Sequence, residues 1–293
     1  MLMDVSIIFV NYNTISLLCN AIDSVLAKTK EIDYEIIVVD NASQDNAQQV
    51  LQERFNNTIF FLPLLENIGF GRANNEGIKI AEGRNIFLLN PDTILVNNAI
   101  KQLSDYLDGH VDVGVAGGNL FNEDGSRQPS FSRYYPSIGF EISNLLHILT
   151  LYDRQTFVDT SEPVEVKRVV GAAMMIKKQV IDEVGAFNPR FFMYAEEDEL
   201  CYRINKVGYK IVHLPQTEII HLDGRSFQFT EQRQKRRLEG LRTFYKISYS
   251  PIYCFGLKVV EYLTILSRLA LAQLSKNNEN IAYWSFMYKN RKW

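Results

Sequence analysis

Three apolar runs that each stop abruptly at small polar residues constrain this chain more than any other feature. They are VSIIFV before NYNT, EIIVV before DNASQD, and NIFLL before NPDT. Runs this continuous do not suit a strand with one wet face and read as strands buried on both sides. Between them the pattern turns helical: a helix to about Lys28 with Thr14 as N-cap, a second begun by Ser43 or Asp45, and a third over Phe70–Ala81. Thr58–Leu62 reads as a further strand. A helix over about Asn97–Leu107 leads into a strand at Val113–Leu120. This alternation predicts an α/β fold, a mainly parallel central sheet with helices on both faces. Ligands of such sheets bind beyond the carboxyl ends of the strands, which makes Asn11, Asp40 and Asp92 the first candidate site residues.

The chemistry of these ends differs from one to the next. Asp40 follows a buried strand, placed either to accept the imide N–H of uracil or thymine or to cap the next helix. In ENIGFGRANNEGI, Gly69 and Gly71 precede a helix and offer a cradle for a pyrophosphate, with Arg72 beside it. The motif lacks the third glycine of a dinucleotide fingerprint and follows the third strand instead of the first, so a nicotinamide cofactor is not expected. NPDT sets Asp92 just past a strand with Asn90 two residues earlier. Such an oxygen pair suits Mg2+ or Mn2+, whose coordination diphosphate oxygens would complete.

The stretch from Phe187 to Ser226 carries the remaining candidates. Glu196, Glu197, Asp198 and Glu199 open a helix, where acids favour the positive end, and Glu199 with Arg203 suits an i,i+4 pair. The preceding Phe191, Phe192, Met193 and Tyr194 set part of that cluster against an apolar wall, a setting that raises a carboxylate's pKa and suits a general base. His221 ends an apolar run and opens HLDGRS, whose turn and Arg225 suit a diphosphate. His110, His147 and His213 receive no role.

At 293 residues with 46% apolar content, the chain holds one large α/β domain with an appendage. Its net charge of −3 and its lack of any nucleic-acid motif exclude nucleic acid as a partner. Cys19, Cys201 and Cys254 form no CxxC pair and no leader precedes the first strand, which together predict a reduced, cytoplasmic compartment. The basic helical segment Glu231–Lys246 and the apolar tract Pro251–Gln273 follow a boundary placed near residue 227. The expected domains are thus 1–226, catalytic, and 227–293, a helical extension. Lys258, Glu261 and Arg268 interrupt the tract too often for a membrane span and fall, with Lys276, in one arc of an amphipathic helix. That helix either rests on an anionic membrane surface or packs on the catalytic domain or a second subunit.

Taken together and in order, VSIIFVNYN, IIVVDNASQD, ENIGFGRANNEGI, LLNPDT, GAAMMIKKQVIDEVGAFNPRFFMYAEEDELCYRINKVGYKI and the H-x-x-G-x-S at His221 resemble the inverting glycosyltransferase family 2, and its bacterial rhamnosyltransferase-like members in particular. The resemblance covers roughly Asp4–Ser226. It implies the GT-A fold, a nucleotide-diphosphate sugar donor (dTDP-rhamnose or a UDP-sugar), and a glycan or lipid-linked acceptor in cell-surface polysaccharide synthesis. It further implies a nucleotide pocket at Val10, Asn11, Tyr12, Asp40 and Asn41, metal binding by Asp92 and His221, and Glu197 as catalytic base. Two positions depart from the family pattern: Asn90 replaces the first acid of D-x-D, and Glu196-Glu197 replaces Glu-Asp, which leaves Asp198 next door, or Glu196, as the alternative base. Two other readings are a sugar nucleotidyltransferase, whose glycine-rich basic loop NYNT lacks, and an inactive binding module of the same fold.

Overall fold

The structure is a computed structural model describing residues 3–56, 58–146, 160–222 and 230–291. Its elements run β1 (Val5–Asn11), α1 (Ile15–Lys28), β2 (Tyr34–Asp40), α2 (Ala47–Phe55), β3 (Ile59–Pro63), α3 (Phe70–Ile80), β4 (Asn85–Leu89), β5 (Thr93–Leu95), α4 (Ala99–Gly109), β6 (Val113–Phe121), β7 (Arg127–Gln128), β8 (Phe131–Ser132) and α5 (Ile138–Leu145). They continue with β9 (Val164–Val166), β10 (Arg168–Val169), β11 (Ala173–Lys177), α6 (Lys178–Val184), α7 (Glu196–Lys206), β12 (Lys210–His221), α8 (Glu231–Ser248), α9 (Pro251–Leu274) and α10 (Asn278–Lys289).

The sheet takes the order β3-β2-β1-β4-β11-β6-β12-β5. β1 pairs in parallel with β2 and β4, β2 with β3, and β6 with β12, while β11 and β5 run antiparallel. The mixed α/β architecture with a mostly parallel sheet is the one the apolar runs predict. Every residue of β1 is buried, as is every residue of β4, so both faces of the central strands are covered. The carboxyl ends of β1, β2, β4, β6 and β12 therefore share one edge of the sheet. The amino end of the antiparallel β11 lies at that edge too.

The stretch Val164–Lys177 forms three short strands, β9, β10 and β11, because its first part pairs with β12, its middle with β8, and its end with β4 and β6. Two local readings change. Thr14 occupies the N-cap of α1, but its hydroxyl bonds Asn11 Oδ1 at 2.9 Å. The first N–H of α1, that of Ile15, goes to Asp45 Oδ2 at 2.9 Å, so Asp45 serves α1 and not the following α2. The N-cap of α2 is Asn46 in the left-handed region, and neither Ser43 nor Asp45 occupies it.

By contacts the chain forms two compact units, Met1–Arg133 with Gln155–Phe227, and Tyr134–Arg154 with Gln228–Trp293. The sheet belongs to the first. The second holds α5 as well as α8, α9 and α10, so the segment containing α5 goes with the C-terminal helices instead of with its chain neighbours. Within this unit α8, α9 and α10 start on side-chain caps from Thr230, Ser250 and Asn277. No helix among the described residues is long and apolar enough to cross a membrane. Two of the charges on α9 turn inward: Glu261 accepts from Arg242 at 3.0 Å, and Arg268 donates to Asn144 O at 2.8 Å. Most of what α9 leaves exposed is apolar, namely Ile252, Phe255, Val259, Tyr262, Leu263, Leu266, Leu271 and Leu274, with Lys258 and Gln273 as exposed polar positions.

Candidate active site

The edge of the sheet is assembled from β1 outward. Asn11 is fully buried and paired across the ladder with Asp40. Its amide donates to Asp40 Oδ1 at 2.8 Å and to Ser43 Oγ at 3.0 Å, and its carbonyl oxygen accepts from the N–H and hydroxyl of Thr14. Asn11 therefore holds Asp40 in place. Asp40 also accepts the Ser43 N–H at 3.0 Å, and it borders an open cleft of about 450 Å3 walled in part by Gln44, Gln48, Phe61 and Pro63. Val10 is buried, and Tyr12 presents its ring to solvent beside this edge.

Asn41 stitches the same edge to the loop before α3. Its Nδ2 donates to Asn67 Oδ1 at 3.0 Å, and its Oδ1 accepts the Ile68 N–H at 2.9 Å. Gly69, at φ +90°, then passes against Phe192: a Cβ there would lie 2.3 Å from the Phe192 carbonyl oxygen, which accepts the Phe70 N–H at 2.9 Å. Gly71 lies against Phe187, whose backbone exchanges two hydrogen bonds with the Asn75 side chain. The glycines expected to cradle a pyrophosphate are thus required for a protein contact, the docking of α3 onto the loop that leads into α7. Arg72, one residue on, is half-buried with its Nε lacking a hydrogen-bond partner.

That loop delivers the acids. Tyr194 and Ala195 both take left-handed conformations before α7 begins at Glu196. Glu199 is buried and tied to Arg203 through two contacts of 2.7 and 2.9 Å, while Arg203 also donates to the carbonyls of residues 184–186. This is the expected i,i+4 pair, and it anchors the helix. Glu196 is buried beside Gly71, and that burial, with Glu197 nearby, pushes its carboxyl well above the usual carboxylate range. Burial also pushes Asp198 up to about 7, although Arg168 pulls the other way and Glu197 adds to the rise.

Arg168 is the residue that sequence reasoning missed. From β10 its Nε sits 2.7 Å from Asp198 Oδ1, in ion-pair contact without good hydrogen-bond alignment, and its Nη1 lies 3.7 Å from Glu197 Oε1. The only sequence signal was a cation within a β-branched run just before Gly171. Gly171 itself lies beside Glu197, with a Cβ at that position only 3.7 Å from the Glu197 Cβ. Of the two acids facing Arg168, Glu197 has the more open carboxylate, its side chain 20% exposed against 10% for Asp198.

The far side of the edge is formed by β4, β5 and β12. His221, the last residue of β12, pairs across the ladder with Thr93, directly after Asp92. His221 Nε2 is 3.5 Å from Asp92 Oδ1 and has no hydrogen-bond partner, and Asn90 Oδ1 is likewise buried and unpartnered. A carboxylate, an imidazole nitrogen without a hydrogen-bond partner and an amide oxygen form a donor set of the kind that holds Mg2+ or Mn2+ in part, leaving positions for phosphate oxygens. No group of three or more His, Cys, Asp or Glu ligands occurs among the described residues. The residues thus fit a cation shared with a diphosphate, not an all-protein cage. Arg225 lies outside the described residues.

A family model described as Glycosyl transferase family 2 matches residues 6–185. Among curated proteins, an N-acetylglucosaminyl-diphospho-decaprenol L-rhamnosyltransferase of Mycobacterium tuberculosis is 26% identical over 218 residues, covering 67% of this chain and 69% of that protein. A dTDP-rhamnosyl transferase RfbF of Shigella flexneri is 23% identical over 206 residues, covering 69% of this chain and 64% of that protein. Among solved structures, GalNAc-T7 with UDP, GalNAc and Mn2+ superimposes with a TM-score of 0.59 at 17% identity, covering 81% of this chain and 47% of that one. With a family match over more than half of its length and this likeness of fold, the chain belongs to glycosyl transferase family 2, as a rhamnosyltransferase-like protein on the GT-A fold.

Proposed function

We propose that this glycosyltransferase moves a sugar, with inversion, from a nucleotide-diphosphate donor, dTDP-rhamnose or a UDP-sugar, to a glycan or lipid-linked acceptor in cell-surface polysaccharide synthesis. The observation that carries this reading is the convergence on one sheet edge of Asp40, Asp92 with His221, and the carboxylate of Glu197 beside Gly171. The base of the nucleotide lies at Asp40 and Tyr12, and Arg72 serves the diphosphate. Asp92 and His221, with Asn90 beside them, would hold Mg2+ or Mn2+, which when bound supplies positive charge to the departing diphosphate.

Glu197 takes the proton of the acceptor hydroxyl, whose oxygen forms the new bond to the anomeric carbon. The bond from that carbon to the diphosphate oxygen breaks, and its electron pair leaves with the nucleoside diphosphate. One displacement inverts the centre, and no covalent enzyme intermediate forms. Asp198 keeps Arg168 beside the base, and Glu196, its carboxyl pushed well above the usual range by burial, packs against α3 at Gly71. The names of the relatives favour a rhamnose donor and a lipid-linked acceptor. The exposed apolar face of α9 supports peripheral attachment at the inner face of a membrane, where such an acceptor is presented.

A thermal-shift screen of nucleotide sugars, with and without Mn2+, tests the donor assignment. A donor at a hundredfold excess over its Kd stabilises by about 2.7 kcal/mol. The reading expects that scale of shift for dTDP-rhamnose or a UDP-sugar and a smaller one without Mn2+. No shift with any nucleotide sugar contradicts it.

A further inference from the structure

The ring nitrogen of His221 that points away from Asp92 is held by a directional chain of hydrogen bonds running along β7 and the turn before it. Its first link is Asp124, a carboxylate that only accepts; the hydroxyl of Ser126 donates to it at 2.6 Å and keeps its pKa below the usual range. With its proton engaged there, Ser126 Oγ accepts from Asn122 Nδ2 at 2.8 Å. Asn122 therefore turns its Oδ1 outward, and Gln128 Nε2 donates to that oxygen at 2.6 Å. The same Gln128 nitrogen donates at 2.7 Å to the backbone carbonyl of His221. A backbone carbonyl only accepts, so these two bonds fix which end of the Gln128 amide is nitrogen. Its Oε1 is left facing His221 Nδ1 at 3.0 Å, and an amide oxygen there requires a hydrogen on that nitrogen.

We propose that Gln128 is a positioning residue that fixes neutral His221 as the Nδ1–H tautomer, so that the unshared pair of Nε2 is directed toward Asp92. The inference rests on the reading of Asp92 and His221 as ligands of the cation. It adds the residue that prepares the imidazole for that task before any cation arrives. Partners behind a ligating histidine commonly change metal affinity by about 10- to 100-fold, because they set both tautomer and ring orientation.

An internal contrast exists within β12. His213 Nε2 faces Asn119 Oδ1 at 3.0 Å, and Asn119 Nδ2 donates to Pro215 O, so Asn119 offers His213 an acceptor and His213 is the opposite tautomer, Nε2–H. Burial lowers the pKa of His213 to about 4, so it stays neutral at ordinary pH and serves as an internal standard. Long-range 1H–15N correlation on histidine-labelled, cation-free full-length protein distinguishes the two tautomers, with His221 assigned by comparison with His221→Asn. The proposal expects Nδ1–H at His221 and Nε2–H at His213. In Gln128→Met, which keeps the side chain's length without its hydrogen bonds, His221 should shift toward Nε2–H while the His213 signal stays in place and reports an intact fold. Mn2+ alone, titrated by electron paramagnetic resonance, should bind that variant about 10- to 100-fold more weakly than the unaltered chain. Nε2–H at His221 in the unaltered chain, or a Gln128→Met variant with unchanged tautomer and Mn2+ affinity, overturns the proposal. Nδ1–H with no Mn2+ binding by the unaltered chain would instead overturn the metal reading and leave the tautomer assignment standing.

Discussion

Glu197→Gln is expected to lower turnover by roughly 10²- to 10⁴-fold, the usual value of general-base assistance, while leaving donor binding close to that of the unaltered chain. The substitution is nearly isosteric and removes only the ability to take a proton. Of the four acids in the first turn of α7, Glu199 is tied to Arg203, and the surroundings of the other three each predict a different response. Glu196 is buried where α3 meets α7, with its carboxyl pushed well above the usual range by that burial, so its loss is expected to act on stability. Asp198 is engaged with Arg168 at 2.7 Å, so Asp198→Asn releases that guanidinium and acts on the base indirectly. Glu197 alone combines a more open carboxylate with a glycine beside it. Steady-state rates with a fixed donor, together with donor Kd, check the assignment. Near-normal turnover in Glu197→Gln moves the base to Asp198 or Glu196.

The second large effect is expected on membrane attachment. α9 exposes Ile252 at 82%, Phe255 at 67% and Leu274 at 81%, and Val259, Tyr262, Leu263 and Leu266 lie between them on the same side. At about 100° per residue these seven residues fall in one arc roughly 120° wide. The segment 228–293 carries twelve Lys and Arg against four Glu, in a chain whose net charge is −3. An apolar face on a strongly basic segment is the composition of a helix lying in the interface of an anionic bilayer. Each large apolar side chain transferred out of water contributes about 1.5–3 kcal/mol. Phe255→Glu with Leu263→Glu is therefore expected to lower binding to anionic vesicles by roughly a hundredfold, at about 1.4 kcal/mol per tenfold. Flotation with phosphatidylglycerol-containing vesicles measures it, and the unaltered chain should float. Failure of the unaltered chain to float, with a dimer in solution that the double substitution dissociates, would assign this face to a second copy of the chain.

Much of this site is legible in the sequence because its parts sit where unmistakable apolar runs end. Asp40 ends β2 and Asp92 follows β4 so closely that naming the strands places them, and His221 closes β12 at 3.5 Å from Asp92. What stayed hidden depends on contacts between distant segments. Gly69 reads as a phosphate turn until Phe192 is seen against it. Arg168 and Asp198 are 30 residues apart, and nothing in either stretch announces the other. Asp45 serves a helix that starts 30 residues before it, a pairing made by the adjacency of β1 and β2. In α9 the periodicity showed a polar arc and an apolar arc but not which one faces solvent. Arg242 and Asn144 turn Glu261 and Arg268 inward.

The central claim is a single displacement assisted by Glu197, and the stereochemistry of the product tests it most directly. Incubating the protein with its donor and Mn2+ in the absence of acceptor, and reading the anomeric configuration of the first-formed sugar by 1H NMR before mutarotation, gives the outcome with water as nucleophile. The account predicts the anomer opposite to that of the donor, released together with nucleoside diphosphate and formed far more slowly by Glu197→Gln. Release of the donor's own anomer, or inversion at an undiminished rate in Glu197→Gln, would contradict it.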